Sequence, residues 1–283
     1  MADIKAIILD IDGVIVGKKH GINSPMPNKK VAEILKKINE QGISVSLCGS
    51  RPSFAIKKII EYIGLDSMHV TNGGSIVFNP IAGMIIREEL MDKELLKKLV
   101  VLCDKHDIYL ELHTKDQYYY MKKSKVSDVT AKREQIITEK VILVDNLEEA
   151  ISKSVVQCKL IAKDDKEKER VTDIFMNANL DLSLNWTFNP KTLPIKIGDV
   201  LTQGISKTQG LLDIADYLGV STENMLGVGD CINDWNFMKL CKYKAAMGNA
   251  TEELKKEVLN ANGYIGKTVD EDGIIGILDY FLK

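Results

Sequence analysis

Near the start of the chain stands the octapeptide Ile7-Ile8-Leu9-Asp10-Ile11-Asp12-Gly13-Val14. Its apolar first half, together with the residues from Ile4 onward, predicts a short buried strand. Asp10 and Asp12 follow at the mouth of that strand, where two carboxylates repel each other and are costly to desolvate. A divalent cation would resolve this conflict, and Mg²⁺ suits a hard site rich in carboxylates. On this motif alone, an ordinary strand end with two solvated aspartates stays open as the alternative.

The composition is that of a globular protein and gives no sign of a nucleic-acid or membrane partner. Hydrophobic residues make up 45% and charged residues 28% of the 283 residues, and the formal net charge is −2. This balance gives no electrostatic argument for binding nucleic acid or anionic membranes, and the first apolar run is too short for a signal peptide or a membrane span. The five cysteines include no C-x-x-C pair, which favours a reducing compartment. We therefore predict a cytoplasmic protein.

The first 80 residues alternate between predicted strands and helices. Apolar residues at helical spacing predict helices around residues 31–38 and 56–63, and Ile43–Cys48 between them predicts a strand. Such alternation implies a parallel sheet with helices on its faces. Ligands of these folds gather at the carboxyl ends of the strands. Asp10 and the turn Gly49–Arg51 both fall at such ends.

The same alternation returns near the C-terminus, whereas the middle of the chain differs. Met225–Gly229 predicts a strand that runs into Asp230, and helices are predicted at 232–240, 251–260 and 273–282. Between about Gly83 and Pro194 the prediction has two helices, at 130–138 and 165–177, and four longer strands, at Ile108–Thr114, Gln117–Met121, Val155–Ala162 and Leu180–Thr187. This pattern indicates an α/β protein: a Rossmann-like parallel-sheet core, residues 1–82 and 195–283, with an inserted α+β domain, residues 83–194.

A second acidic cluster and a lysine extend the chemistry that the two aspartates indicate. Gly229–Asp234 places two more carboxylates at the end of another predicted strand. If the two strand ends lie side by side, three or four carboxylates converge on one cation, as is usual for phosphoryl transfer with a single Mg²⁺. Lys207 opens a helix, and a lysine together with a helix N-terminus suits a phosphate dianion. Taken alone, Lys207 could equally be a surface lysine.

Together these motifs resemble the haloacid dehalogenase superfamily of phosphotransferases, in particular its Cof-type phosphatase branch. The sequence matches the motifs of that family in order: D-x-D-G at Asp10–Gly13, an N-G-A-like turn at Asn72–Gly74, S-K at Ser206-Lys207, G-D-x-x-N-D at Gly229–Asp234 and A-M-G-N-A at Ala246–Ala250. The resemblance covers the predicted core. It also implies that the insert is the α+β cap domain with which this family recognises its substrates.

The resemblance implies a covalent mechanism. Asp10 would attack phosphorus to form an aspartyl-phosphate, and Asp12 would protonate the leaving oxygen and then activate water. The cofactor Mg²⁺ would be held by the Asp10 carboxylate, the Asp12 backbone carbonyl and Asp230. Asp234 would support this metal site.

The implied phosphate-binding residues include one departure from the family. Lys207 and Asn233 would bind phosphate oxygens, as in the family. The family places a Thr or Ser at the end of the second strand, in an A-T-G-R-P-like turn, but here the turn Cys48–Pro52 has Gly49 at that place. Either the loop shifts so that Ser50 donates its hydroxyl to phosphate, or backbone N–H groups replace it; we favour Ser50.

The leading hypothesis is a Mg²⁺-dependent phosphatase whose partner is a small phosphorylated metabolite. A sugar phosphate is favoured by analogy with the family. Two alternatives stay open. The first is a phosphomutase, because some capped relatives have a turn comparable to Gly49-Ser50. The second is a catalytically weak protein that binds a phosphorylated metabolite. The sequence gives no oligomeric state.

Overall fold

The computed structural model describes residues 3–115, 118–121, 128–137, 140–187 and 194–283. Within these ranges the strands are β1 Ala6–Leu9, β2 Ser44–Leu47, β3 His69–Thr71, β4 Ile76–Asn79, β5 Met84–Glu88, β6 Tyr109–Thr114, β7 Tyr118–Met121, β8 Ile142–Val144, β9 Val155–Ala162, β10 Leu182–Thr187, β11 Lys196–Thr202, β12 Met225–Gly229, β13 Tyr243–Ala246 and β14 Tyr264–Ile265. The helices are α1 Lys29–Glu40, α2 Ser53–Ile63, α3 Lys93–Lys105, α4 Asp128–Ile137, α5 Glu148–Ile151, α6 Asp165–Asn177, α7 Lys207–Leu218, α8 Trp235–Met238, α9 Glu252–Asn260 and α10 Gly273–Leu282.

The core is a parallel sheet of five strands built around β1. The strand order is β14-β13-β12-β1-β2, and each neighbouring pair is parallel. Because side chains alternate along a strand, Ile7 and Leu9 pack on one face with α1, α2 and α10, while Ala6 and Ile8 pack on the other with α7, α8 and α9. This three-layer arrangement confirms the predicted α/β class with a parallel central sheet.

Two further sheets follow along the chain. β3, β4 and β5 form a small antiparallel sheet, which an isolated bridge between Cys48 and Val70 joins to the core. The larger one is a six-stranded sheet of order β10-β11-β9-β6-β7-β8, whose pairs are antiparallel except β7 with β8. One face of this six-stranded sheet packs against α3, α5 and α6. The other face lies toward the core.

Strand β11 belongs to the six-stranded sheet, where it pairs with β9 and β10. The predicted boundary between residues 194 and 195 puts this strand on the core side, so the hydrogen bonding and the predicted boundary disagree here. Strand partners are chosen by non-local contacts, which the local pattern around residue 195 does not encode. The division of the chain into a core and a cap domain stays a prediction.

The predicted elements of the insert are largely present, but four described elements of this segment were not predicted. Strands β6, β9 and β10 and helices α4 and α6 fall on predicted segments, while Gln117 and residue 138, which the prediction included, lie outside the described residues. The elements that were not predicted are helix α3, Lys93–Lys105, and the shorter elements β5, β8 and α5. Across the described ranges, the helices fall short of the length and apolar character that a membrane span requires.

Candidate active site

Asp10 follows β1 directly and lines a cavity of about 200 Å³ between the core and the six-stranded sheet. Its backbone N–H donates to the carbonyl of Val228 at 3.0 Å, which fixes it at the carboxyl end of the β1 and β12 pair. The residue is 8% exposed. Burial, and then the negative charge of Asp234, raise the pKa of Asp10 to about 7, even though the neighbouring Lys207 lowers it. A carboxylate that is this unfavourable to ionise needs a cation beside it.

Lys207 supplies one such cation. It is the first residue of α7, where the Ser206 side chain accepts from the N–H of Gln209 and so caps the helix. The Lys207 ammonium lies 2.5 Å from Oδ1 of Asp10 and 2.8 Å from Oδ1 of Asp234. Burial opposes its charge, but these two carboxylates outweigh burial and raise the pKa of Lys207 well above its ordinary value. Lys207 is therefore a permanent positive charge at the nucleophile predicted from sequence.

Asp234 and Asp230 bring the second acidic motif to the same place. A single 3₁₀ turn, Ile232–Asp234, follows β12. Asp234 is fully buried, and its Oδ2 accepts from the backbone N–H groups of Asp230 and Cys231, each at 3.2 Å. Burial, and then the charges of Asp10 and Asp234, raise the pKa of Asp230 to about 9. Asp234 thus shapes the loop and holds Lys207, while Asp230 lines the cavity.

Asp12 is held by an arginine that sequence reasoning did not identify. Nε and Nη2 of Arg51 donate to the two carboxylate oxygens of Asp12, each at 2.7 Å. Arg51 is 9% exposed; burial opposes its charge, but the Asp12 carboxylate more than compensates and raises the pKa of Arg51. Because a guanidinium matches a carboxylate with two parallel hydrogen bonds, this pair fixes the Asp12 side chain against the turn after β2.

The charges around the cavity fit a divalent cation. Among the described residues on its core side, the four aspartates of the two acidic motifs face two cations, Lys207 and Arg51. When all four carboxylates are ionised, the excess of negative charge equals the charge of one Mg²⁺, and carboxylate and carbonyl oxygens are the ligands that Mg²⁺ prefers. Within the second motif, Asp230 is the better ligand, because Asp234 already accepts from Lys207 and burial raises the pKa of the Cys231 thiol far above its usual range.

Gly13 makes room for the Asp230 carboxylate. A Cβ at Gly13 would lie 1.9 Å from Oδ2 of Asp230, and the glycine has φ +85°, a conformation that side chains disfavour. The carbonyl of Gly13 accepts from Nδ2 of Asn249 at 2.9 Å, while Oδ1 of Asn249 accepts from the N–H of Val269 at 2.7 Å. Asn249, from the A-M-G-N-A stretch, therefore holds the turn after Asp12 in place.

The Gly13→Ala variant is expected to lose about 10²-fold in kcat/KM toward p-nitrophenyl phosphate, since displacement of a reacting group by about 1 Å can have an effect of that size. The matched control is Gly21→Ala, because Gly21 also has positive φ (+74°) but meets nothing within 4 Å. Both variants should lose about 1–2 kcal/mol of unfolding free energy from the backbone conformation, measured by urea denaturation. Equal activity of the two variants would contradict a role for the Asp230 contact.

Ser50 and Asn233, the remaining predicted phosphate ligands, both line the cavity. The N–H of Gly49 donates to the carbonyl of Val70 at 3.0 Å, so this backbone donor is occupied. Asn233 donates to the carbonyl of Trp186 in β10 at 2.9 Å. Six of the seven predicted site residues thus line one cavity, with Asp234 beneath it. Their roles stay predictions.

The turn Asn72–Gly74 packs against the start of α7, beside Lys207. A Cβ at Gly74, whose φ is +114°, would lie 2.2 Å from the Ser206 carbonyl oxygen, so the start of α7 packs directly on this turn. Oδ1 of Asn72 accepts from the N–H of Ser53 at 2.9 Å and thereby caps the start of α2. The glycine at 74 is required by both its conformation and this close approach.

The six-stranded sheet supplies the opposite wall of the cavity with polar side chains that sequence reasoning missed. Nζ of Lys159 donates to the carbonyl of Ser50 at 3.0 Å and also to Asp199. The residues of the sheet that line the cavity are Lys159, Asn185, Thr187, Ile197, Asp199 and Leu201, and helix α4 adds Arg133 and Ile137 beside them. Lys159 lies between the buried residues Cys158 and Leu160 of β9. Because side chains alternate between the two faces of a strand, the only sequence signal was that Lys159 lies on the opposite face from these two residues.

Comparison with known proteins places these features in a family. The chain matches the family of haloacid dehalogenase-like hydrolases over residues 7–278. It is 22% identical over 301 residues to the 5-amino-6-(5-phospho-D-ribitylamino)uracil phosphatase YwtE of Bacillus subtilis, covering 99% of this chain and 98% of that protein.

Solved structures have the same fold. A haloacid dehalogenase-like hydrolase from Bacteroides thetaiotaomicron matches with a TM-score of 0.83 and 21% identity, over 98% of this chain and 99% of that one. A sugar phosphatase of haloacid dehalogenase subclass IIB matches with a TM-score of 0.79 and 22% identity, over 98% of both chains.

Proposed function

Because the chain belongs to the haloacid dehalogenase-like hydrolase family, we propose that it is a Mg²⁺-dependent phosphatase that hydrolyses a small phosphomonoester through an aspartyl-phosphate. The observation that carries the proposal is the position of Asp10, which lies at the end of β1 with its Oδ1 2.5 Å from Lys207 and lines the cavity beside Asp12 and Asp230. This placement supports the proposal, because phosphoryl transfer through an aspartyl-phosphate needs a carboxylate nucleophile, a cation for phosphate and further carboxylates in one cavity.

In the proposed mechanism Asp10 attacks phosphorus while Asp12 protonates the leaving oxygen; Asp12 then takes a proton from the water that hydrolyses the aspartyl-phosphate. Lys207, Ser50 and Asn233 bind the phosphate oxygens. The Asp10 carboxylate, the Asp12 carbonyl and Asp230 would hold Mg²⁺, which when bound offsets the repulsion between Asp10 and the phosphate dianion.

The substrate that we propose is a sugar phosphate or a similar hydroxyl-rich phosphomonoester. The support comes from relatives: one is named for a substrate with a phosphorylated ribityl chain and another is described as a sugar phosphatase. A cavity of about 200 Å³ is also smaller than the usual range for drug-sized ligands. Both points favour a small metabolite over a macromolecular substrate.

The proposal gives the inserted segment, residues 83–194 together with β11, the role of a cap that closes the cavity and excludes water. Hydrogen bonds between this segment and the core beside the cavity include those from Lys159 to the Ser50 carbonyl at 3.0 Å, from Asn233 to the Trp186 carbonyl at 2.9 Å and from Ser53 Oγ to the Lys115 carbonyl at 2.6 Å. We also propose a cytoplasmic location, since all five cysteines are free and four are buried.

The experiment is a phosphatase screen over sugar phosphates, nucleotides, phosphoglycolate and p-nitrophenyl phosphate. Phosphate release is expected with Mg²⁺ and should fall to the background rate after chelation, recovering when Mg²⁺ is restored. Release without a bisphosphate activator would exclude the phosphomutase alternative. Tight ligand binding without Mg²⁺-dependent turnover of any ester would overturn the proposal in favour of a binding protein.

A further inference from the structure

A row of polar side chains crosses the wall of the cavity formed by the six-stranded sheet. The register pairs Asn185 in β10 with Asp199 in β11, Asp199 with Lys159 in β9, and Lys159 with Glu111 in β6. Side chains opposite one another in paired strands lie on the same face. The alternate residues of these strands, such as Cys158, Leu160 and Val200, are buried on the other face. The row therefore lies on the face toward Asp10.

At one end of the row, the Glu111 carboxylate is bound by side chains of α4 and β6. Arg133 of α4 donates to both carboxylate oxygens of Glu111, at 3.0 and 2.7 Å, and Nε2 of His113 lies 3.0 Å from the same carboxylate. Burial lowers the pKa of His113 to about 4, so the imidazole is neutral at physiological pH and Arg133 balances the charge of Glu111. This leaves Lys159 and Asp199 as a separate pair.

The Lys159–Asp199 pair is buried but borders the cavity. The side chains are 5% and 4% exposed, and both residues line the cavity together with Ile197 and Leu201, the neighbours of Asp199 on the same face. A lysine ammonium has three N–H donors; Asp199 and the Ser50 carbonyl occupy two of them. Ion pairs in such surroundings are often no more stabilising than apolar residues of the same size, so fold stability alone does not account for this pair.

We propose that Lys159 and Asp199 determine substrate specificity by recognising two adjacent hydroxyl groups of the leaving group, on the carbons next to the phosphoester. The ammonium donates to one hydroxyl oxygen and the carboxylate accepts a hydrogen bond from the other. Because Lys159 contacts the carbonyl of Ser50, a predicted phosphate ligand, it reaches the part of the substrate closest to phosphorus. This inference rests on the proposed phosphatase function.

The chemistry of the pair distinguishes among leaving groups. A hydroxyl both donates and accepts, so a vicinal diol satisfies the carboxylate and the ammonium together. A second phosphate at this position would be attracted by Lys159 but repelled by Asp199, whereas neutral hydroxyl groups satisfy both charges. An alkyl chain would leave the two buried charges without a polar partner on the substrate. Sites that hydrogen-bond a substrate hydroxyl discriminate strongly against analogues that lack this hydroxyl.

The test compares ribitol 5-phosphate with n-pentyl phosphate, which has the same carbon chain without the hydroxyls. The wild-type protein is expected to prefer ribitol 5-phosphate by about 10³-fold or more in kcat/KM. Asp199→Asn and Lys159→Met should each reduce that preference about 10- to 100-fold. The double variant Lys159→Met/Asp199→Leu, which replaces the pair with apolar residues and avoids an unpaired buried charge, should bring the two substrates to within about tenfold.

Lys98→Met is the matched control, since Lys98 is exposed on α3, which packs on the opposite face of the six-stranded sheet; its preference should equal that of the wild type. A purely structural pair would lower turnover of both esters by the same factor and keep the ratio, and that result would overturn the inference. A wild-type protein that hydrolyses both esters equally would overturn it as well. Failure to hydrolyse any ester, p-nitrophenyl phosphate included, would instead overturn the proposed function.

Discussion

The Asp10→Asn variant is expected to lose at least about 10⁴-fold in kcat toward p-nitrophenyl phosphate, because removal of a catalytic nucleophile has effects on the order of 10⁴–10⁶. An amide has nearly the same shape as a carboxylate but cannot form the acyl phosphate bond. Lys207, Asp12 and Asp230 remain in place, so any residual rate reports on phosphate binding and electrostatics without covalent catalysis.

The same variant should remain folded, which separates its chemical effect from a structural one. Burial and Asp234 raise the pKa of Asp10 to about 7, so the folded protein holds this proton more tightly than the unfolded chain does. Above the ordinary aspartate pKa, ionisation of Asp10 therefore costs stability, and this cost grows as the pH rises to about 7. Asparagine does not ionise, so this loss of stability is absent in the variant. Lys207 still forms its ion pair with Asp234, in which Nζ lies 2.8 Å from Oδ1.

We therefore expect Asp10→Asn, measured without metal at neutral pH, to unfold at a temperature equal to or above that of the wild type. Asp216→Asn is the control, because Asp216 is exposed near the C-terminal end of α7, at the opposite end of the helix from Lys207. This control variant should keep wild-type activity. If Asp10→Asn keeps more than about a hundredth of the wild-type rate, Asp10 is not the nucleophile.

The parts of this protein that could be predicted from sequence are those encoded locally. The strand before Asp10 is a short apolar run, and the acidic motif after β12 follows another one. Because parallel strands bring their carboxyl ends to one edge, the sequence predicted Asp10 and Asp230 at the same edge of the sheet. That β1 and β12 are direct neighbours is seen only in the structure. Helix α3 was also within reach: Leu96, Leu99, Val100 and Cys103 have helical spacing, and Asp92 caps its start.

Other features depend on contacts between distant segments. Arg51 and Asp12 are 39 residues apart, and no local pattern indicates which carboxylate an arginine will bind. Lys159 and Asp199 meet only because β9 pairs with β11 in a particular register. The family resemblance indicated the residues that we propose to surround phosphorus, but the wall that we propose to face the leaving group depends on strand pairing within the insert. Its polar residues are therefore visible only in the structure.

The Asp12→Asn variant is expected to affect the two halves of the reaction differently. Loss of a general acid or base lowers rates by about 10²–10⁴, and the first step needs the acid only when the leaving oxygen is basic. Ribitol 5-phosphate leaves as an alkoxide unless it is protonated, so its cleavage should fall by the full factor. The nitrophenolate ion leaves readily without a proton, so Asp10 should still be phosphorylated by p-nitrophenyl phosphate.

The second step, hydrolysis of the aspartyl-phosphate, uses Asp12 as a base whichever substrate was cleaved. In the variant this step is slow, so the phosphorylated enzyme should accumulate with p-nitrophenyl phosphate, which still phosphorylates Asp10, and not with ribitol 5-phosphate. Stopped-flow measurement should show a burst of nitrophenolate close to one equivalent of enzyme, followed by slow turnover. The fold should persist, since the side-chain amide of the Asp12→Asn variant would still offer Arg51 one acceptor oxygen in place of the two that Asp12 provides. If the variant slows both substrates equally and shows no burst, Asp12 does not act in both steps. A residue that acts first as acid and then as base makes phosphorylation of Asp10 depend on the leaving group, while hydrolysis of the aspartyl-phosphate does not depend on it.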